Sequence, residues 1–265
     1  MPDPYDIAPP LPKPALPGEV IVRESLEDLL DALASDLLFQ AKACVRSFGD
    51  FHLALSGGST PEPLYKRLMY DQRVRDFPWK KTHLWQVDER CVPHDHDQRN
   101  WKMIGGILLD HSDIPQAQTH PMPVLDPEGD LAYERQLRDA LEWREKGHDR
   151  LDYVLLGMGN DLHTASLFPG SIALDAPTGR LAVFNDGPGV VPPKRMTLTY
   201  EMLNASRFLA IMVTGSNKRD AIARLVANTL DPDTPLGPHQ APVLGIQPLG
   251  GVVRWYLDRA ACPES

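Results

Sequence analysis

Six short apolar runs along the chain are separated by segments in which apolar residues recur at helical spacing. The runs cover residues 19–22, 51–55, 84–87, 151–156, 208–213 and 252–257, and each has the length of a buried strand. Between them the pattern predicts helices that begin at Ser25 and after Thr60, and helices over 131–143 and 216–228. Strands that alternate with helices indicate an α/β fold, with a mostly parallel sheet covered by helices on both faces, as in Rossmann-like proteins.

The first two predicted helices carry start signals. Ser25, with Asp28 three residues later, forms a weak capping box. Thr60 followed by Pro61 is typical of an N-cap and a first helical position. The leucines predicted to form the buried face of the first helix are Leu26, Leu29, Leu30, Leu33 and Leu37.

The composition predicts a single domain preceded by a proline-rich arm. With 265 residues, 42% of them hydrophobic and 24% charged, the chain can bury a full core. Residues 1–17 carry seven prolines, which predicts an extended arm or tail outside the core. The remaining residues, 18–265, are expected to form a single α/β domain.

Charge and cysteine usage narrow the function classes. A net charge of −9 argues against non-specific binding to nucleic acids, although it allows a local basic pocket. The sequence has no apolar run of membrane-spanning length and no secretory signal. Three widely spaced cysteines indicate a reducing compartment. We therefore expect a cytoplasmic protein and, because no feature indicates an obligate partner, a monomer.

The segment 157–170 holds the strongest candidate chemistry, because it follows a predicted buried strand. Gly157 and Gly159 allow a tight turn that brings backbone N–H groups close to a ligand. Asp161 and His163 follow where the strand ends, which is where α/β proteins usually place their chemistry. A carboxylate beside an imidazole can orient it and stabilise its charged form, so the pair predicts a general base.

A second glycine-rich turn joins the strand at 51–55 to the helix after it. Free N–H groups at a helix N-terminus favour an anion, so this turn is either a phosphate cradle or simply a tight connection. The turn by itself does not separate the two interpretations. The residues that would form the cradle are Ser56, Gly57, Gly58, Ser59 and Thr60.

Three cations lie where they could face the same ligand. Lys218 is predicted in the first turn of a helix, where a cation opposes the helix dipole unless an anion is bound. Arg90 follows the strand at 84–87, and Arg195 precedes an alternating run. Taken alone, Lys218 is better explained as a solvated lysine, and each arginine could be a surface charge. Together with the glycine-rich turns they indicate a phosphorylated small molecule as ligand.

The histidines elsewhere are weaker candidates. His94 and His96 alternate with two aspartates and could ligate a metal, but a polar loop is the favoured interpretation, and we expect no metal site. His52, His83 and His239 have no partner nearby in sequence and are expected to be structural or exposed.

Taken in order, six blocks of sequence resemble the glucosamine-6-phosphate isomerase/6-phosphogluconolactonase superfamily, and within it the lactonase branch. The blocks are 56–60, 88–93 with Asn100, 157–170, 192–199, 215–218 and 251–258. The resemblance implies hydrolysis of 6-phospho-D-glucono-1,5-lactone to 6-phosphogluconate in the oxidative pentose phosphate pathway, without a metal or organic cofactor.

The resemblance also implies roles for individual residues. His163 matches the general base of the family and Asp161 the carboxylate that supports it. Arg90 and Lys218 match cations on the phosphate side, and the loop from Ser56 lines the site. Asp88 and Asn100 lie in the matching blocks and are included among the substrate-binding residues.

Two alternative functions stay open at this stage. Amino-sugar-phosphate deaminases and isomerases look similar around the same histidine, but carry a carboxylate five residues after it, where this chain has Phe168. A non-catalytic phospho-sugar sensor is the other alternative. Two departures from the family pattern bear on it: Leu162 stands where relatives have glycine, and Arg99 where they have serine. Leu162 would be strained at positive φ and would narrow the pocket, while Arg99 would contact phosphate or face water.

Overall fold

The computed structural model describes residues 11–142, 144–230 and 235–263. Within these ranges the chain alternates strands with helices. The strands are Glu19–Arg23 (β1), Phe51–Leu55 (β2), Thr82–Gln86 (β3), Asp88–Arg90 (β4), Thr119–His120 (β5), Tyr153–Gly157 (β6), Ala182–Asp186 (β7), Lys194–Leu198 (β8), Phe208–Val213 (β9) and Val252–Asp258 (β10). The α-helices are Leu26–Phe48 (α1), Glu62–Tyr70 (α2), Asn100–Leu108 (α3), Gly129–Leu141 (α4), Tyr200–Ala205 (α5) and Arg219–Leu230 (α6).

The main sheet is parallel throughout, in the order β1-β10-β9-β6-β2-β3-β5. From β2 the chain proceeds through β3 and β5 toward one edge, and from β6 through β9 and β10 toward the other. The strand order therefore reverses between β2 and β6. Ligands of open α/β sheets bind in the crevice beyond the carboxyl ends of the strands at such a point.

Helices cover both faces of this sheet, which confirms the predicted α/β class. Buried residues of α1, α2 and α3 pack in one hydrophobic cluster, and those of α4, α5 and α6 pack in a second. Strand β2 contributes to both, since Leu53 and Leu55 face the first cluster and Ala54 faces the second. This alternation is the period of two that a strand imposes on its side chains.

A second, three-stranded antiparallel sheet has the order β4-β8-β7. The apolar pattern does not predict it, because β4 has only three residues and because β4 and β8 carry charges such as Asp88, Arg90 and Arg195. The pattern also misses β5, α3 and α5, which are short. This small sheet matters for the site, because β4 leaves the main sheet directly after β3.

The start of α1 is as predicted, whereas the start of α2 differs. The Ser25 hydroxyl caps α1 by accepting the backbone N–H of Asp28 at 3.2 Å. Leu26 lies outside the buried face, being 36% exposed, while the other four predicted leucines are buried. The prediction that Thr60 caps α2 is wrong, since the helix follows Pro61 and has no side-chain cap.

Two other predicted helices have different bounds. The segment predicted as one helix over 216–228 is a short 3-10 turn at Ser216–Lys218 followed by α6. Gly215, at a φ of 90°, redirects the chain into that turn. The helix predicted over 131–143 is α4, and residue 143 lies outside the described residues.

Part of the predicted proline-rich arm packs on the domain. Residues 1–10 lie outside the described residues, whereas 11–17 run without helix or strand. Leu16 is only 8% exposed and belongs to a core cluster, so the expectation that the arm lies outside the core is wrong there. The indole of Trp255 donates to the Pro17 carbonyl at 2.8 Å and holds the end of the segment.

None of the helices in the described ranges has both the length and the apolar character needed to cross a bilayer.

Histidines form a stack near the amino ends of the central strands. The Trp85 indole donates to Nδ1 of His52 at 3.0 Å, and Nε2 of His52 lies 3.3 Å from Asp50. Since an indole can only donate, His52 must carry its proton on Nε2. Although Asp50, His52 and His83 are near enough to share a metal ion, this proton makes His52 a donor to Asp50 instead of a metal ligand. His83 and His120 are hydrogen-bonded at 3.0 Å.

This stack should make the protein sensitive to acid. Burial lowers the pKa of His83 from 6.5 to about 4 and that of His120 to about 3. The unfolded chain therefore binds more protons below pH 6.5, and stability is lost progressively as the pH falls from 6.5 to about 3. We expect the melting temperature to fall over this window, measured by calorimetry at a series of pH values.

Two variants test whether the histidine stack causes the acid sensitivity. His120→Phe keeps a ring against Trp85 but removes the ionisable group, so its melting temperature should fall less steeply with acid. The exposed His94→Gln should follow the wild-type curve. Identical slopes for His120→Phe and the wild type would show that the stack does not cause the acid sensitivity.

Candidate active site

A cavity of about 290 Å³ opens at the carboxyl ends of β2 and β6, where the strand order reverses. It is bounded by the loops that follow these two strands, by β4 and β8 of the small sheet, and by the starts of α3 and α6. Most of the residues predicted for the site line it. They are Ser56, Gly57, Thr60, Asp88, Arg90, Asn100, Gly157, Gly159, His163, Arg195 and Lys218.

The cavity contains one carboxylate–imidazole pair, as the sequence predicts. Nδ1 of His163 lies 2.5 Å from Oδ1 of Asp161, which does not itself line the cavity. This contact occupies Nδ1 and leaves Nε2 as the ring nitrogen available to a ligand. The Phe168 ring packs against the imidazole, with ring centroids 4.8 Å apart. Asp161 and Phe168 together restrict the orientation of His163.

The carboxyl group of Asp161 has a lowered pKa, which favours the charged form that holds His163. Partial burial acts to raise the pKa of the carboxyl, but the hydrogen bond and the charge of His163 outweigh it, and the net pKa is lowered. Asp161 is therefore ionised at neutral pH. An ionised carboxylate at Nδ1 fixes the proton on that nitrogen and stabilises the imidazolium that forms when Nε2 takes up a second proton.

The turn that carries the pair requires glycine at position 159. A Cβ there would lie 2.2 Å from Nδ1 of His163 and 2.4 Å from Oδ1 of Asp161. The Gly159 N–H donates to the His163 carbonyl at 2.9 Å, and the Leu162 N–H donates to the Gly159 carbonyl at 3.0 Å. The Gly159 amide is thus committed within the turn, which corrects the expectation that it faces the ligand.

Leu162 has the strained backbone that its replacement of glycine implies, with a φ of 70°. For a residue other than glycine this conformation costs about 1–2 kcal/mol. Its side chain is fully buried in the core and does not line the cavity, so the expectation that it narrows the pocket is wrong. Burying a leucine contributes about 1.5–3 kcal/mol, which offsets the strain. The Leu162 carbonyl also accepts the Val243 N–H at 3.0 Å.

Two arginines face each other across the small sheet. Arg90 in β4 pairs directly with Arg195 in β8, an arrangement in which like charges repel. Arg195 is 5% exposed, and its Nη1 atom has no hydrogen-bond partner among the described residues. Burial and the charge of Arg90 lower the pKa of Arg195, while Asp88 opposes the shift. A bound anion would relieve the repulsion and accept the free N–H.

Lys218 completes the positive lining of the cavity from the turn before α6. Burial lowers the pKa of its ammonium group, while the charge of Asp161 acts to raise it. The ammonium group of Lys218 therefore interacts electrostatically with the carboxylate of Asp161. Lys218 lies at the N-terminal end of α6, where the helix dipole disfavours a cation, and a bound anion would offset this unfavourable interaction.

The loop after β2 is packed against the start of α3. A Cβ on Gly57 would lie 1.9 Å from Oδ1 of Asn100, so glycine is required there. Asn100 in turn donates from Nδ2 to the Asp88 carbonyl at 3.0 Å. The Ser56 hydroxyl donates its proton to the Leu155 carbonyl, so it can meet a ligand only as an acceptor.

Gly58 and Ser59, although predicted as part of the cradle, do not line the cavity. The parts of this loop that face a ligand are therefore mainly Gly57 and Thr60.

Several residues of the site were not predicted. Ser166 lines the cavity and donates from its hydroxyl to Asp88 at 2.6 Å. It lies within segment 157–170, so its place there was the available signal. Val190 reaches the cavity from the β7–β8 loop, which has no recognisable pattern. The other unpredicted lining residues are Pro61, Met158, Ala165 and Phe168.

Arg99 neither contacts the cavity nor faces water, contrary to both expectations. It is 2% exposed, with its Nε atom 3.5 Å from Oε2 of Glu89.

Known proteins are similar to this chain in sequence and in fold. A family model described as glucosamine-6-phosphate isomerases/6-phosphogluconolactonase matches residues 24–255. The GDH/6PGL endoplasmic bifunctional protein of Homo sapiens is 38% identical over 88% of this chain, which spans only 28% of that longer protein. A 6-phosphogluconolactonase of Nostoc sp. is 37% identical over 86% of this chain and 90% of its own length.

Among solved structures, the 6-phosphogluconolactonase from Thermotoga maritima superposes with a TM-score of 0.73 at 27% identity. The match covers 91% of this chain and 99% of that one.

Leu162 gives a test of how the turn before His163 is held. Leu162→Ala keeps the same strained backbone and removes only the buried side chain, so we expect a loss of about 2–5 kcal/mol in the free energy of unfolding. Urea denaturation measures it. Leu249→Ala, at a fully exposed leucine, is the control and should change stability little. A similar small effect at both positions would contradict the anchoring role of Leu162.

Proposed function

Because the chain belongs to the family of glucosamine-6-phosphate isomerases and 6-phosphogluconolactonases, we propose that it hydrolyses 6-phospho-D-glucono-1,5-lactone to 6-phosphogluconate, the lactonase step of the oxidative pentose phosphate pathway. The observation that carries the proposal is the Asp161–His163 pair in the same cavity as three cations. A base and a phosphate site are the two elements that this substrate requires.

In the proposed mechanism His163 activates water. Neutral His163 accepts a proton from water at Nε2 as the water oxygen adds to the lactone carbonyl. Asp161 stabilises the imidazolium that results. When the tetrahedral intermediate collapses, the imidazolium returns a proton to the ring oxygen, which leaves as a hydroxyl group. Ring opening yields the carboxylic acid, which ionises at neutral pH.

The phosphate of the substrate is assigned to the positive side of the cavity. Arg90, Arg195 and Lys218 supply charge, and Gly57 supplies a close backbone approach. The phosphate is remote from the carbonyl, so its binding energy can support orientation at the reacting bond. Because the Gly159 amide is used within its turn, it is not assigned to the oxyanion.

Phe168 argues against the isomerase and deaminase activities of the same family. It occupies the position where those enzymes are expected to carry a ring-opening carboxylate, and it is 3% exposed against the imidazole. A coupled assay for ammonia release from glucosamine 6-phosphate distinguishes the two reactions. Ammonia release without lactone hydrolysis would overturn the proposal, and binding without either reaction would indicate a sensor.

The location, assembly and domain limits of the chain are further parts of the proposal. Cys44, Cys91 and Cys262 are free thiols, which is consistent with a reducing compartment such as the cytoplasm. A single domain over 18–265 that acts as a monomer is also proposed.

His163→Ala should separate chemistry from binding. Loss of the general base is expected to lower kcat by about 10²- to 10⁴-fold, measured by stopped-flow above the spontaneous hydrolysis of the lactone. Binding of 6-phosphogluconate, measured by calorimetry, should survive because the cations are intact. His239→Ala, at an exposed histidine, is the control. A kcat near that of the wild type would refute the role of His163.

Lys218→Ala tests the phosphate site with two substrates. Loss of one charge-assisted hydrogen bond should raise KM for the phosphorylated lactone by about 10- to 100-fold. For glucono-1,5-lactone, which has no phosphate, the rate should change little. Lys80→Ala provides an exposed control. Equal losses with both lactones would assign Lys218 to the carbonyl end of the substrate instead.

A further inference from the structure

A closed ring of buried polar groups lies directly behind the cavity. It contains the side chains of Gln86, Glu89 and Arg99 and the backbone of Met122. The side chains are 0–2% exposed. Buried polar networks of this kind stabilise a defined arrangement and are costly when one member is removed. Within this ring, Nε of Arg99 has no hydrogen-bond partner among the described residues, and its link to Glu89 is an ion pair at 3.5 Å.

Glu89 is the acceptor at the centre of this ring. Its Oε1 atom accepts the N–H of Arg90 at 2.8 Å and that of Asn100 at 2.7 Å. Its Oε2 atom accepts the N–H of Trp101 and the side-chain amide of Gln86, both at 2.8 Å. Glu89 thus caps the start of α3 with a negative charge while also holding the backbone of its own strand, β4.

Arg99 closes the ring from the other side. Its guanidinium donates to the Val92 carbonyl at 2.7 Å and to the Met122 carbonyl at 3.2 Å. Met122 in turn donates its N–H to the side chain of Gln86 at 2.8 Å. With its Nε atom 3.5 Å from Glu89, Arg99 also compensates a carboxylate that would otherwise be buried without an opposite charge.

The ring determines where two residues of the cavity lie. Arg90 and Asn100 each follow a ring member in sequence and have their N–H groups bound by Glu89. Asn100 also packs against Gly57, so the loop after β2 depends on the same arrangement. The loop that carries His163 follows β6, and its hydrogen bonds with Asp161 and Gly159 do not involve the ring.

We propose that Arg99 is a positioning residue for substrate binding: through Glu89 it sets Arg90 and Asn100 in the cavity, without acting on the Asp161–His163 pair. The inference rests on the proposed lactonase function and adds to it a residue remote from the substrate.

Arg99→Met tests the inference, because it keeps the length of the side chain and removes its charge and donors. KM for the phosphorylated lactone should rise about tenfold while kcat stays within about twofold, since misplaced contacts weaken binding and leave the base intact. The dissociation constant of 6-phosphogluconate, measured by calorimetry, should rise in parallel. Arg99→Lys keeps the charge without the forked donors and should give a smaller rise in both constants.

Arg144→Met is the matched control for the loss of a buried arginine. Arg144 is 5% exposed and bonded to Asp50 and to Asp152, which precede β2 and β6 at the opposite end of the sheet from the cavity. This variant should lower the melting temperature without changing KM.

Four outcomes distinguish the possibilities. A lowered melting temperature with unchanged KM in both Arg99 variants would reduce Arg99 to a structural residue and overturn the inference. A fall in kcat alone would overturn it as well. If Arg99→Met does not fold, the graded rise in Arg99→Lys decides. Absence of lactone hydrolysis in the wild type would instead refute the proposed function.

Discussion

The reversal of strand order between β2 and β6 is the constraint on which the site depends. Both strands are parallel and central, so their loops leave the same edge of the sheet and turn to opposite faces. Because the two connections cover opposite faces of the sheet, neither fills the space between the loops, and a crevice remains there. Gly57 enters this space from one side and the Asp161–His163 pair from the other. The groups proposed for binding and for catalysis thus come from separate elements of the main sheet.

Strong signals in the sequence correspond to fully buried strands and to residues at their ends. Strands β2 and β9 are buried at every position, and their bounds were predicted to the residue from runs that are apolar except for His52 in β2. The small sheet was missed because β4 has only three residues and because charged residues in β4 and β8 interrupt the apolar pattern, although an alternating run follows Arg195. The place of Arg195 in a strand opposite Arg90 could therefore not be predicted, although both cations were found as candidates.

Buried charge is the feature that local sequence represents least well. Glu89 and Arg99 look like solvated residues in a polar stretch, because the groups that satisfy them come from β3, from α3 and from the segment after β5. Leu162 shows the opposite case. Its strain was expected from the resemblance to the family, but the burial that offsets the strain depends on the core around it. In both cases the contacts that decide the outcome come from segments distant in sequence.

The contact between Gly57 and Asn100 also limits how this protein can evolve. A side chain at position 57 would meet not only the amide of Asn100 but also its Cβ, which lies 2.6 Å from where the new Cβ would be. Shortening Asn100 to alanine would therefore not make room for a change at position 57. The two positions therefore depend on each other. As long as position 100 carries any side chain and this backbone is kept, no substitution of Gly57 can be accommodated.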